Sequence, residues 1–248
     1  MRAGAGYVTA LVPASLELVF ETRLVEVMTH GLRDDRGSLS PIAADDALEA
    51  LGRAGALVLG PGVGRTDAAF AFLRAVAARA DLPLVLDADG LNAHAQALDS
   101  LAGRTAPTVL TPHAGELGRL LGTSSESVNR RRLASAREAA RRANAVVVLK
   151  GDDTIVALPD GRAAVNGLGV PALATAGTGD VLAGVIGAHL AKGLEPFVAA
   201  CAGVRRHAAA GRVAAEERGA DGVIARDVIA ALPRCLQGEP AELVEPGE

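Results

Sequence analysis

The residues best placed to do chemistry lie between Leu173 and Gly187, LATAGTGDVLAGVIG, where small residues crowd a turn and an apolar helical pattern follows at once. Gly177, Thr178, Gly179 and Asp180 form its working end. Glycines let a backbone approach an anion closely, and the free N–H groups and positive dipole end of the following helix favour phosphate there. A carboxylate repels phosphate. Asp180 at the mouth of such a site therefore reads as a proton acceptor, or as a group that works through a metal. The alternative is architectural, with Gly177 and Gly179 shaping a tight turn and Asp180 capping the helix.

More chemistry-bearing residues follow short apolar runs that read as buried strands. Ala56–Leu59 runs into Gly60, Pro61, Gly62, Val63 and Gly64, and then into a helix over Asp67–Ala80, without the glycine spacing of a dinucleotide fingerprint. Leu84–Leu86 ends in Asp87, Ala88, Asp89, Gly90, Leu91 and Asn92, with a helix expected to run on to about Leu101. Thr108–Leu110 delivers Thr111, Pro112, His113, Ala114, Gly115 and Glu116, and Ala145–Leu149 delivers Lys150, Gly151, Asp152, Asp153 and Thr154. In an open parallel sheet, ligands bind outside the carboxyl ends of the strands, so these groups should share one crevice.

Each residue also has a plainer reading. Asp89 or Asn92 could cap a helix, and Glu116 in a first turn stabilises a helix dipole whatever the ligand. His113 can hydrogen-bond a ligand or move a proton near neutral pH, or serve only the structure. Lys150 at the end of a buried strand needs an anion; phosphate is one candidate, and Asp152 or Asp153 is the other.

The elements that must position these groups alternate strand and helix. Tyr7–Val12 and Val25–Met28 read as strands after Arg2–Gly6, which reads as the end of a helix, and Ala44–Leu51 reads as a short helix. Pro159, Asp160 and Gly161 mark a hairpin between Ile155–Leu158 and Arg162–Val165. Helices are expected over Asp180–Lys192, Pro196–Arg218 and Ala225–Leu236. The arginine-rich stretch Arg130–Arg142 reads as a solvated helix face rather than a binding patch. The polar tail 238–248 is expected to be disordered.

Composition agrees with an α/β domain spanning 1–237. Of 248 residues, half are hydrophobic but only 2% aromatic, so the core must be Ala, Val and Leu packed between closely spaced elements. A net charge of -4 and the lack of a basic cluster interleaved with aromatics argue against nucleic acid as partner. No apolar run approaches a membrane span and no signal core opens the chain, so a cytoplasmic protein acting on a small molecule is expected. Cys201 and Cys235 fall in helical patterns without CxxC spacing and read as buried free thiols.

Read together, GPGVG, LDADGLN, TPHAGE, LKGDDT and LATAGTGDVLAG occur in the order seen in the carbohydrate-kinase-like NAD(P)H-hydrate dehydratases, and from Arg2 to about Leu232 the chain resembles that family. The resemblance implies a ribokinase-like fold, a mostly parallel sheet with helices on both faces. It also implies an enzyme that uses ADP or ATP, with Mg²⁺, to dehydrate the damaged hydrate of NADH or NADPH, and that forms homo-oligomers. By the same likeness Gly62, His113 and Asp180 would meet the hydrate, and Lys150, Gly151, Asp152, Asp153, Thr154 and Gly179 would hold the adenine nucleotide. Asp180 would be the base, supported by Gly177, Thr178, Asp89, Asn92 and Glu116. No spacing identifies metal ligands.

By the same resemblance, family members carry a glycine-rich segment upstream of Arg2–Gly6 that contributes to the substrate site, and this chain begins at Met1 without it, which reads either as a start placed too late or as a true N-terminal shortening. Val170 and Ala208 also differ from the residues usual in relatives. Two other readings share the same motifs: a small-molecule kinase resembling hydroxyethylthiazole kinase, and a nucleotide-binding remnant without turnover.

Overall fold

Residues 1–235 are described by the computed structural model, so the expected tail, 238–248, lies outside the described residues. Two small sheets precede the central one. β1 (Thr9–Pro13) and β2 (Met28–Leu32) run parallel with α1 (Glu17–Glu21) between them, and β3 (Asp34–Asp35) pairs antiparallel with β4 (Ser38–Leu39). The second strand starts at Met28 instead of ending there. Val25 is 86% exposed in a turn, so its apolar side chain marks a surface position and not the core of a strand. Arg2–Gly6 forms no helix end; Gly4 N–H donates to Met1 O at 2.8 Å and closes a turn.

After α2 (Ala44–Leu51) strand and helix alternate. β5 (Leu57–Leu59) leads to α3 (Asp67–Arg79), β6 (Leu84–Leu86) to α4 (Asp89–Asn92), and β7 (Thr108–Leu110) to α5 (Ala114–Leu121), α6 (Ser125–Arg130) and α7 (Arg132–Ala143). β8 (Val146–Leu149) then turns directly into β9 (Thr154–Ala157) and β10 (Ala163–Asn166), before α8 (Thr178–Ala191), α9 (Pro196–Arg218) and α10 (Ala225–Cys235). The central sheet has the order β10-β9-β8-β7-β6-β5. β5 to β8 are parallel, and β9 and β10 are antiparallel.

Alternation along the strands separates two cores. Leu84, Leu86, Leu110, Val147, Leu149, Ile155 and Ala157 pack on one face with residues of α3, α5 and α7. Val85, Val109, Val146, Val148 and Val156 pack on the other with residues of α8 and α9. Burial on both faces explains why these strands read as unbroken aliphatic runs. Each fully buried leucine contributes about 2 kcal/mol, which anchors the strand ends that carry the polar groups.

Three details of the chain differ from the expected pattern. The helix after Asp89 stops at Asn92, and the chain resumes as a 3₁₀ turn at Leu98–Leu101. The Arg130–Arg142 helix is broken at Arg131 into α6 and α7, and the Arg132 side chain is 17% exposed, so it does not belong to a solvated face. Cys201 and Cys235 are half-buried rather than buried. Burial still pushes the Cys201 thiol up to about 11, which makes it unreactive at neutral pH.

Candidate active site

At the carboxyl ends of β6, β7 and β8 three charged side chains meet. Lys150 Nζ lies 2.9 Å from Asp87 Oδ1 and 3.9 Å from Glu116 Oε2. Both carboxylates are buried, Asp87 to 1% exposure, while the ammonium is partly open. The anion expected for Lys150 is therefore Asp87, not Asp152 or Asp153. Lys150 N–H also donates to Pro112 O at 2.9 Å, continuing the parallel pairing one step past the strand ends to His113.

His113 is the N-cap of α5. Its Nδ1 accepts from Gly115 N–H at 3.0 Å and Glu116 N–H at 3.3 Å, while Glu116 Oε2 accepts from His113 N–H at 2.9 Å. This reciprocal capping box satisfies first-turn donors that would otherwise be orphaned. An Nδ1 that accepts two N–H bonds carries no proton, so the neutral ring has its proton on Nε2, which lies 3.6 Å from Glu116 Oε1, beyond hydrogen-bond distance, and stays open to a ligand. Desolvation pushes the imidazole below its ordinary range, the Glu116 charge opposes this, and Lys150 adds to it. His113 is thus both a structural cap and an exposed hydrogen-bond donor.

Asp180 arrives from the other face. Gly177, at φ 86°, starts α8 in the left-handed region and offers no side chain to cap it; Thr178 N–H donates to Thr175 O at 3.3 Å, which leaves the N–H groups of Gly179 and Asp180 to solvent or a ligand. Asp180 therefore does not cap the helix. Thr178 Oγ1 donates within the turn, to Leu173 O at 2.6 Å and Thr175 O at 2.7 Å. A Cβ on Gly179 would lie 3.3 Å from Lys150 Nζ, so the helix start and the ammonium face each other. The Asp180 carboxyl is accessible, yet partial desolvation and the Asp87 charge hold it above the ordinary carboxylate range, against the pull of Lys150.

The glycine loop after β5 closes the site. At Gly60, φ 123°, a Cβ would fall 2.0 Å from Asp87 O and 2.5 Å from Gly90 N, so the two strand-end loops touch backbone to backbone. Asp89 caps nothing. Its carboxylate accepts from Gly64 N–H at 3.1 Å and pairs with Arg65 at 2.8 Å, while Asn92 Oδ1 accepts from Arg119 Nε at 2.9 Å. Gly62 stands open, with nothing within 4 Å of the point where a Cβ would project. Ala88 holds φ 49°, ψ -118°, a region that L-residues rarely occupy, between the two aspartates.

Gly151, Asp152, Asp153 and Thr154 span the turn from β8 into β9. Thr154 Oγ1 donates to Gly151 O at 3.0 Å, and Asp153 faces Arg132. Asp87 lies at the crevice where its strand-end position puts it, whereas no motif signals a part there for Arg132 or His207. His207 on α9 is buried beside the Thr178 backbone, and burial pushes its imidazole down to about 4, so it is neutral behind the α8 start. Among the described residues its Nε2 has no hydrogen-bond partner.

Among the described residues no group of three or more His, Cys, Asp or Glu side chains could hold a metal ion unaided. Mg²⁺ is commonly held by one or two carboxylates plus substrate phosphates. Asp87 and Glu116 are oxygen donors of that kind, provided Lys150 shifts toward phosphate. No described helix is long and apolar enough to cross a membrane.

A family model described as NAD(P)H-hydrate dehydratase matches residues 1–234. A bifunctional NAD(P)H-hydrate repair enzyme Nnr of Moorella thermoacetica is 41% identical over 98% of this chain and 46% of its own length. The ADP-dependent (S)-NAD(P)H-hydrate dehydratase of Xanthomonas campestris is 36% identical over 97% of this chain and 81% of its own. The chain spans about half the length of the bifunctional relatives it matches. The ADP/ATP-dependent NAD(P)H-hydrate dehydratase of Bacillus subtilis, co-crystallised with ATP/Mg²⁺, has a TM-score of 0.78 at 30% identity, covering 96% of this chain and 83% of that one. A solved ribokinase-like protein shares the fold.

Proposed function

The chain belongs to the NAD(P)H-hydrate dehydratase family, and from that premise we propose that it regenerates NAD(P)H from its hydrate at the expense of ADP or ATP. One observation carries the reading: Asp180, the uncapped start of α8 and the Lys150–Asp87 pair meet at a single sheet edge beside His113. That edge combines a proton acceptor with donors for phosphate.

Asp180 takes the proton of the hydrate's hydroxyl as its oxygen attacks the terminal phosphorus of the nucleotide. The bond from phosphorus to the bridging oxygen breaks, and the shortened nucleotide leaves. The free amides of Gly179 and Asp180 at the start of α8 and the Lys150 ammonium stabilise the charge that develops on the phosphoryl oxygens. Hydroxide is a poor leaving group and phosphate a good one. The ring nitrogen then pushes its lone pair toward the carbon that loses phosphate, and transfer of a proton from the adjacent carbon to the departing phosphate or to water restores the double bond. Asp87 and Glu116 would help to hold Mg²⁺ arriving with the nucleotide, which would supply further neutralisation of phosphate charge.

His113 Nε2–H and the open backbone at Gly62 are assigned to the hydrate, and the β8–β9 turn with Gly179 to the adenine nucleotide. The family resemblance further supports a cytoplasmic homo-oligomer, which size-exclusion chromatography with light scattering tests for assembly. The decisive assay incubates NADHX with ADP and Mg²⁺ and follows recovery of NADH absorbance, with a parallel assay of phosphate transfer to stable alcohols. Recovery of NADH supports the dehydratase. A stable phosphoester points instead to a kinase, and ADP binding with neither product to a remnant.

A further inference from the structure

Arg132 opens α7 with no acidic residue in the first turn and no side-chain cap. A cation at a helix N-terminus opposes the helix dipole, so local preference does not explain an arginine there. The side chain turns inward to the β8–β9 turn. Nη2 donates to Leu149 O at 3.3 Å, Lys150 O at 3.4 Å and Asp153 O at 3.1 Å. Nε lies 2.8 Å from Asp153 Oδ1, an ion pair whose N–H is not aimed along a hydrogen bond. Nη1 reaches Asn129 Oδ1 at 3.4 Å.

The guanidinium fills the inside of the turn. A Cβ on Gly151 would lie 2.5 Å from Nη2, so glycine leaves the room that the planar fork occupies. The three carbonyls share the two hydrogens of Nη2, while Nε faces the Asp153 carboxylate and Nη1 faces Asn129, so acceptors lie around three nitrogens of one planar group, a spread that the single nitrogen of an ammonium cannot cover. The grip includes the carbonyl of Lys150 itself, and so fixes the backbone from which its ammonium reaches toward Asp87 and the start of α8.

We infer that Arg132 is a positioning residue that holds the Leu149–Asp153 backbone, and Lys150 with it, in the shape that receives the adenine nucleotide. This rests on the assignment of that turn to the nucleotide. The test uses the full chain as wild type, Arg132→Lys and Arg132→Ala, with ADP titrated calorimetrically, steady-state constants for ADP and NADHX measured separately, and amide hydrogen exchange followed over Gly151–Thr154. Arg132→Ala is expected to weaken ADP on the order of tenfold in both Kd and KM, to leave the NADHX KM unchanged, and to speed exchange in the turn; Arg132→Lys falls between.

Unchanged ADP affinity in either variant overturns the inference, as does a parallel rise in the NADHX KM, which would mark general distortion. Should Arg132→Ala not fold, Arg132→Lys decides on the same readings. Wild-type protein that binds no ADP instead overturns the nucleotide assignment. The exchange measurement alone then decides whether Arg132 holds the turn.

Discussion

Lys150 and Asp87 meet at 2.9 Å across the ends of two strands that are not neighbours, since β7 runs between β6 and β8. The pair ties together three strand ends and the residue that faces α8. Asp87→Asn leaves the ammonium against a neutral amide and should cost about 1–3 kcal/mol, whereas Lys150→Met strands a buried carboxylate and should cost about 3–5 kcal/mol. The double variant should lose less than the sum. Urea unfolding of all four proteins checks this, and additive losses would show that the two charges do not depend on each other.

Asp180 is expected to act ionised, and its pKa is raised from an ordinary 3.8 chiefly by desolvation and then by Asp87. The acid limb of kcat/KM should therefore lie above the usual carboxylate range. Asp180→Asn should lower kcat about 10²–10⁴-fold while leaving ADP affinity near wild type. A folded pKa above the unfolded one gives stability that is complete below the unfolded value and lost as pH rises through the folded value. At neutral pH the charge is thus unfavourable, and Asp180→Asn should not lower Tm. Full activity in the variant, or a limb at the ordinary value, contradicts the base assignment.

The capping box gives His113 one duty, and the proposed reading gives it a second. His113→Ala removes the acceptor for two first-turn amides and should cost about 1 kcal/mol. His113→Asn keeps a capping oxygen, so its stability should stay within a few tenths of a kcal/mol. Both lose the Nε2–H donor and should raise the NADHX KM alike. Denaturation and steady-state kinetics on the two variants separate the roles; an unaltered KM in His113→Asn would leave only the cap.

Ala88 is held where glycine is at ease. Ala88→Gly should relieve strain on the order of 1–3 kcal/mol, offset in part by the greater freedom glycine gives the unfolded chain. Calorimetry should show a higher Tm. A lower one would mean that the methyl packs well enough to offset its backbone conformation.

The strand ends were legible because both-face burial writes aliphatic runs that stop where polar groups begin, as at Leu86–Asp87 and Leu149–Lys150. The spacing puts His113 and Glu116 beside a helix start, and the capping box bears that out. The partner of Lys150 was not legible, because nothing local joins residues 63 apart. Nor was Arg132: helical spacing names a face but not what crosses α7 to reach it, and an arginine-rich stretch looks solvated until β9 folds back along β8. Val25 shows the converse error, an apolar residue that no layer covers.

The contact at Gly60 binds the fates of two segments. Because its α-carbon rests directly on the Asp87–Gly90 backbone, neither loop can lengthen or drift without dislodging the other. Room for a larger side chain lies instead at the open rim of Gly62, while the carboxylate beneath keeps its address.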